Sequence, residues 1–262
     1  MRFLVAATLM TVLIVVGWIR IDLRGKDIRP VLLVSFWQPV MYFIMENTGL
    51  KYTSASEAGV MIASIPIVVA VLSSVILKER SNKIQIVFIL MSIAGVLVMV
   101  LGDGSASNPT QLKGILLLLG AVFSASMYNI FSRKASVKFT PIEITYVMMC
   151  IGTIVFGVLY FSDCVIHSKA VITAISVDSI TAILYLGIIS SVVAFLFANY
   201  TLSRLPAAQS SVFANLTTVV SVIAGVIFRN ESFGLTKIIG TLIIIIGVFG
   251  TNYFTEKKAD EK

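Results

Sequence analysis

Gln38, Tyr42 and Glu46 recur at intervals of four inside a long apolar run, residues 30–50. On one helix that spacing places an amide, a phenol and a carboxylate on a single slowly drifting face, with Trp37 beside them. Such a set can stack against an organic solute, hydrogen-bond it, and take up a proton or a cation. Glu46 falls ~6–10 Å below the end of its helix, at about 1.5 Å of rise per residue. Two readings of it stand. A carboxylate at that depth can be a proton-coupling or cation-binding group, or it can snorkel to water and pair locally, for instance with Lys51.

The second half of the chain carries further polar groups at helical spacing. Ser124 and Tyr128 are four apart, with Asn129 adjacent. Ser190 and Ser191 fall near the middle of the run 179–203. Ser211, Asn215 and Thr218 share a face of 206–228. Trp37, Gln38, Tyr42, Glu46, Tyr128, Asn129, Asn215 and Thr218 are therefore the candidate lining of a solute cavity. For any single serine or threonine the structural reading is favoured, because hydroxyls in apolar helices bond their own backbone or hold helices together. Trp37 serves equally as packing or as a lipid-facing ring.

Other chemistry finds little support. There is no HExxH, no partner for the single histidine His167, no paired aspartates in or beside a span, and no GxSxG or Walker loop. No catalytic residue, metal site or cofactor is expected. Cys150 sits in an apolar run and Cys164 in a predicted loop, so no disulfide between them is expected. Glu57 reads as a first-turn residue beside a helix dipole, and Glu79 and Glu231 as structural helix ends.

The elements that must position these side chains follow from composition. Of 262 residues, 58% are hydrophobic and 13% charged, about half the charged share of a soluble domain. Lipid must be the solvent for most of the chain. The net charge of +7 is read as positively charged cytoplasmic loops. No basic patch is interleaved with aromatics, so nucleic acid is not an expected partner. Nine runs are long enough to span: 3–19, 30–50, 57–77, 84–101, 114–132, 141–161, 179–203, 206–228 and 235–254. The first resembles a signal peptide, but "IRIDLRGKDIRP" follows with no small-residue cleavage site, so it is read as a retained span.

Orientation follows from lysine and arginine. With the first loop cytoplasmic, the inner side holds Arg20, Arg24, Lys26, Arg29, Lys78, Arg80, Lys83, Arg133, Lys134, Lys138, Arg204, Lys257, Lys258 and Lys262. The outer side holds Arg2, Lys51, Lys113, Lys169, Arg229 and Lys237. The excess predicts a multi-pass plasma-membrane protein with a cytoplasmic C-terminus.

An offset of 152 residues aligns Asn47 with Asn199, Ala55 with Ala207, Glu79 with Glu231 and Gly95 with Gly247. Thr218 then aligns with Pro66. The register holds for about sixty residues, which marks an internal duplication. Asn47 and Asn199 are read as marking a turn shared by the two copies. The second copy has five predicted spans and the first has four. An odd-numbered unit repeated in series must reverse its orientation, the construction of many secondary transporters.

Three stretches carry a resemblance: "GLKYTSASEAGVMIASIPIVVAVLSSVILKER" (49–80), its echo "TLSRLPAAQSSVFANLTTVVSVIAGVIFRNE" (201–231), and "GILLLLGAVFSASMYNIFSRK" (114–134). The chain resembles the EamA-type permeases of the drug/metabolite transporter superfamily over essentially its whole length. The resemblance implies an all-α integral membrane fold of ten helices in two inverted five-helix repeats. Here the helix preceding 3–19 would be missing. Translation beginning upstream is the favoured explanation, and a nine-helix variant the other. The expected organisation is a first repeat at 1–105, a second at 111–256 and a cytoplasmic tail at 257–262. The implied function is secondary transport, as an exporter, of small metabolites, amino-acid-like or drug-like solutes by alternating access. A truncated or accessory subunit is the alternative, with a membrane-embedded enzyme further behind. The expected partners are a small solute and the lipid bilayer. The resemblance also suggests a homodimer, since Gly240 and Gly247 share a face on a helix where such proteins often meet.

Overall fold

The structure is a computed structural model that describes residues 1–53, 58, 61–79, 82–101, 112–166, 177–216 and 235–260. Glu57, His167, Thr218 and Glu231 lie outside the described residues. The described chain is helical, with no strand among those residues. That is the expected outcome in lipid, where backbone groups have no water to bond and a helix satisfies them within the segment. The helices are α1 (Arg2–Val15), α2 (Arg29–Ser35), α3 (Tyr42–Gly49), α4 (Ile65–Leu72), α5 (Lys83–Leu101) and α6 (Leu112–Ala135). They continue with α7 (Pro141–Ile166), α8 (Val177–Gly187), α9 (Ala194–Arg204), α10 (Ala207–Val212) and α11 (Leu235–Asp260).

Three stretches among the described residues are long and apolar enough to cross a membrane: Leu112–Ala135, Pro141–Ile166 and Ser179–Arg204. Arg2–Val15, Met61–Leu77, Lys83–Gly95 and Ile238–Thr251 are apolar but shorter. Two sequence-based boundaries need correction. α1 stops at Val15, not residue 19, because Gly17 adopts φ +83°, a left-handed conformation that glycine enters without steric cost and that ends a helix. α7 runs to Ile166, so Cys164 is buried in a helix and does not lie in a loop. Cys150 and Cys164 are both free thiols. Fourteen residues apart on one helix, they are ~21 Å distant along its axis, far beyond disulfide reach.

Among the described residues one helical path has a turn at Ser64 and a π segment at Ser73–Leu77, and two others are interrupted at matched positions of the sequence repeat. Between α2 and α3, Gln38 has extended dihedrals (φ −146°, ψ 121°), and the Gln38–Pro39 bond is cis. A residue before proline is driven out of the helical region, and proline cannot donate to the ladder. Pro39 therefore breaks the helical ladder at this point. Between α8 and α9, Ile188–Val193 forms a wider turn of π type. No proline is present there. Instead Ser191 Oγ donates to the Leu186 carbonyl five residues back, at 2.8 Å. The irregular segments Phe36–Met41 and Ile188–Val193 stand at the same 152-residue offset as the sequence repeat, and Ser191 is the counterpart of Pro39.

The chain forms two compact units: residues 1–41 with 131–204, and 42–130 with 205–262. In the first, Phe3, Ala6, Ala7 and Met10 are the buried stripe of α1, spaced as one helical face. They pack on α7, where Phe3 stacks on Phe156 at 5.3 Å between centroids. α7 begins with Thr140 and Glu143 in a reciprocal cap. The Thr140 N–H donates to Glu143 Oε2 at 2.8 Å, and the Glu143 N–H to Thr140 Oγ1 at 3.3 Å, with Pro141 at the first helical position.

In the second unit, α5 and α11 pack antiparallel. A side-chain carbon at Gly95 would sit 2.8 Å from the Gly240 carbonyl oxygen, and one at Gly247 would sit 2.7 Å from the Ser92 backbone nitrogen. Only glycine permits that approach. The Gly240/Gly247 face is thus covered by α5 of the same chain. Ile89, Ile93, Ile244 and Val248 fill the seam, with Ala63 and Val212 beside it. Glu79 Oε2 accepts the Ala207 N–H at 3.0 Å, at the start of α10.

Candidate functional site

The expected stripe of Gln38, Tyr42 and Glu46 is not formed as a continuous helical face. Gln38 lies at the break, so its side chain leaves the register that the other two keep. The correction traces to Pro39, whose effect on the preceding residue outweighs the four-residue spacing. Trp37 and Gln38 are half-buried, and Trp37 packs edge-on against Phe36 at 5.2 Å. Both belong to the first unit.

In the second unit, Tyr42 Oη donates to Glu46 Oε1 at 2.9 Å within α3. Both residues are half-buried. α3 packs against α6 in antiparallel register. Gly49 faces Gly114 and Leu118, and Met45 faces Gly120 and Ser124, whose Oγ lies 3.8 Å from the Met45 sulfur. Tyr128 is 4% exposed. Asn129 donates from Nδ2 to the Ala125 carbonyl of its own helix at 2.8 Å. Asn215 is buried and donates to Ser92 Oγ on α5 at 2.9 Å. Ser124, Ser126 and Ser211 each bond a carbonyl of their own helix. Thr218 falls on the residues left undescribed.

Three groups that sequence reasoning passed over are organised in the first unit. The first surrounds the second helix interruption. Arg2 Nε donates to Ser191 Oγ at 3.1 Å. Ser191 precedes the end of α9 at Arg204 by ~20 Å of helix, so the guanidinium reaches far along that span. A side-chain carbon on Gly152 would meet both Phe3 and Pro39 at 3.0 Å. The ring of the first interruption and the aromatic neighbour of Arg2 thus share one contact on α7. No sequence signal links Arg2 to position 191.

The second group is centred on Asn199. It is fully buried, accepts from Ser132 Oγ at 2.7 Å, and donates to Thr145 Oγ1 at 2.9 Å. It therefore ties α6, α7 and α9 together. Its repeat counterpart Asn47 is exposed, and both residues lie within helices, α3 and α9, where a turn was expected. The third group is Glu143, which is 2% exposed. Lys26 Nζ donates to both carboxylate oxygens at 2.9 and 3.0 Å, and the Asp22 N–H donates to Oε1 at 3.0 Å. This pins the segment after α1 onto the start of α7. The Thr140–Pro141–Ile142–Glu143 capping pattern was a readable signal for that position.

Among the described residues no cluster of three or more histidine, cysteine or acidic side chains could hold a metal. Taken by itself, the first unit holds Arg2 at Ser191 and the Trp37 ring, and the second holds the Tyr42–Glu46 pair.

Comparison with known proteins places the chain in a family. The model of the EamA-like transporter family matches residues 1–101 and 112–253. "Uncharacterized transporter YcxC" of Bacillus subtilis (strain 168) is 37% identical over 98% of this chain and 83% of its own length. An uncharacterized transporter of Archaeoglobus fulgidus is 30% identical over 95% and 85%. The "Probable terminal-alkyne amino-acid exporter" of Streptantibioticus cattleyicolor is 24% identical over 87% and 74%. A solved crystal structure matches with a TM-score of 0.80 at 19% identity, covering 96% of this chain and 86% of its own, and it speaks for the fold alone. These relatives are named as transporters, not enzymes. This chain is a multi-pass membrane protein of the EamA-like transporter family.

Proposed function

We propose that the chain is a secondary transporter that exports small metabolites, amino-acid-like or drug-like solutes by alternating access. In this reading its nine spans form two inverted repeats, 1–105 and 111–256, and its C-terminus is cytoplasmic. The observation that carries the proposal is the pair of helix interruptions at Pro39 and Ser191, 152 residues apart. Interrupted helices at corresponding positions of two repeats are the feature that best points to a transporter's binding site. Trp37, Tyr42 and Tyr128 offer stacking faces. Gln38, Asn129, Asn215 and Thr218 offer hydrogen bonds, and Glu46 is the coupling carboxylate. The exporter named among the relatives supports an amino-acid-like solute and the outward direction. The lysine and arginine excess on one side supports the orientation.

The test begins with cells overexpressing the chain, challenged with toxic amino-acid analogues and metabolites. A solute to which resistance rises is then assayed for flux in proteoliposomes. Glu46→Gln and Tyr42→Ala should each abolish flux while circular dichroism and monodispersity persist. Flux equal to wild type in both variants removes the assigned lining, and no resistance or flux with any solute removes the exporter reading.

A further inference from the structure

A groove of about 430 Å³ opens where the start of α2 meets the end of α6, within the first unit. Leu33, Phe131 and Phe139 form its apolar wall, and Arg29, Lys134 and Lys138 carry its charge, with Asp27 as the one carboxylate. Leu33 is 45% exposed, so the wall is open to an incoming chain. The cations nearby differ in what they already bind. Lys26 is held by Glu143, and Arg133 donates to the carbonyls of Leu202 and Ser203 at 3.1 Å each. Arg29 lies 3.8 Å from Asp27, with both side chains exposed. The Lys134 and Lys138 side chains have no hydrogen-bond or ion-pair partner among the described residues. Phe131 and Lys134 are three apart on α6, so the aromatic ring lies one turn deeper than the Lys134 ammonium on the same side, and Lys138 lines the groove from the turn that follows the helix. A helix end in a membrane protein lies near the headgroup layer.

We propose that this groove binds an anionic phospholipid. Its phosphate sits between Lys134 and Lys138, with Arg29 at the edge, and its first methylenes lie along Leu33 and Phe131. Basic pockets between membrane helices recognise anionic headgroups by this combination of charge and adjoining apolar wall. A soluble anion would use the lysines and leave the wall bare, whereas a zwitterionic lipid would use the wall and gain little from the lysines. The site requires only that the chain is embedded in a bilayer, and it stands whether or not solute is moved.

The full chain in detergent micelles, titrated with phosphatidylglycerol or phosphatidylcholine, is read by native mass spectrometry for retained lipid. Wild type should retain phosphatidylglycerol in preference, and millimolar inorganic phosphate should not displace it. Lys134→Gln with Lys138→Gln should weaken that retention about tenfold and leave phosphatidylcholine unchanged. Equal retention of the two lipids by wild type overturns the proposal. So does displacement by phosphate, which would mark a free-anion site, or undiminished phosphatidylglycerol on the double variant. Should the double variant fail to fold by circular dichroism, Leu33→Glu places a carboxylate in the wall and must also lower phosphatidylglycerol retention.

Discussion

Replacing Asn199 by alanine removes a side chain that joins α6, α7 and α9. Two strong interhelical bonds are lost, from Ser132 Oγ at 2.7 Å and to Thr145 Oγ1 at 2.9 Å, together with a weaker one to the Met148 sulfur at 3.6 Å, at a site with no solvent access. The partners are affected unequally. Thr145 keeps its bond to the Pro141 carbonyl, whereas Ser132 loses the acceptor for its proton. Ser132 can turn to a carbonyl of its own helix, as Ser126 and Ser136 do, which limits the penalty. Interhelical hydrogen bonds in membranes average about 0.6 kcal/mol and reach about 1.7. Two of them, with the small cavity left by the amide, give an expected loss of about 1–3 kcal/mol. The assay is reversible unfolding in mixed micelles, followed by circular dichroism, as a double-mutant cycle with Ser132→Ala. A coupling of about 0.6–1.7 kcal/mol is expected. Asn47→Ala, at the exposed repeat counterpart, should cost less than about 0.5 kcal/mol. The reasoning is refuted if the cycle shows no coupling, or if the Asn199 and Asn47 variants lose the same stability.

Further outcomes follow from the packing. Gly247→Ala puts a carbon 2.7 Å from the Ser92 backbone nitrogen and 2.8 Å from the Phe88 carbonyl oxygen, neither of which can swing away. It should destabilise by about 1–3 kcal/mol, measured by the same unfolding assay. Gly157→Ala on α7 meets nothing within 4 Å and should be neutral or stabilise by up to about 1 kcal/mol. The two together test the α5–α11 contact against a general effect of removing glycine. Glu143→Gln leaves Lys26 without its charged partner while keeping the shape of the cap. Hydrogen exchange should accelerate over residues 20–28 and less over the body of α7. Uniform acceleration would mean that the carboxylate supports the whole helix, not the segment before α2.

The sequence alone determined the features that depend on local covalent geometry and on composition. A chain that is 58% hydrophobic must solve its backbone bonding by helices in lipid, and it does. Pro39 dictated a break at Gln38 because its ring acts on the residue beside it. Gly240 and Gly247 marked a helix face open to close approach, but only the structure showed that α5 of the same chain covers it. Periodicity failed at Gln38 for the same local reason that Pro39 succeeded, since a spacing rule assumes an unbroken helix. The tertiary structure decided which distant groups meet. Asn199 and Asn47 occupy matched positions in the repeat, yet one is fully buried between three helices and the other is exposed. Glu143 was visible as a capping residue, but its pairing with Lys26 spans 117 residues. The second interruption needed no proline, since Ser191 bonds back five residues and takes a hydrogen bond from Arg2. The physical reason is one of range. Dihedral preferences and hydrophobicity act within a few residues, whereas a hydrogen-bond partner is chosen by whichever helix the packing brings within 3 Å.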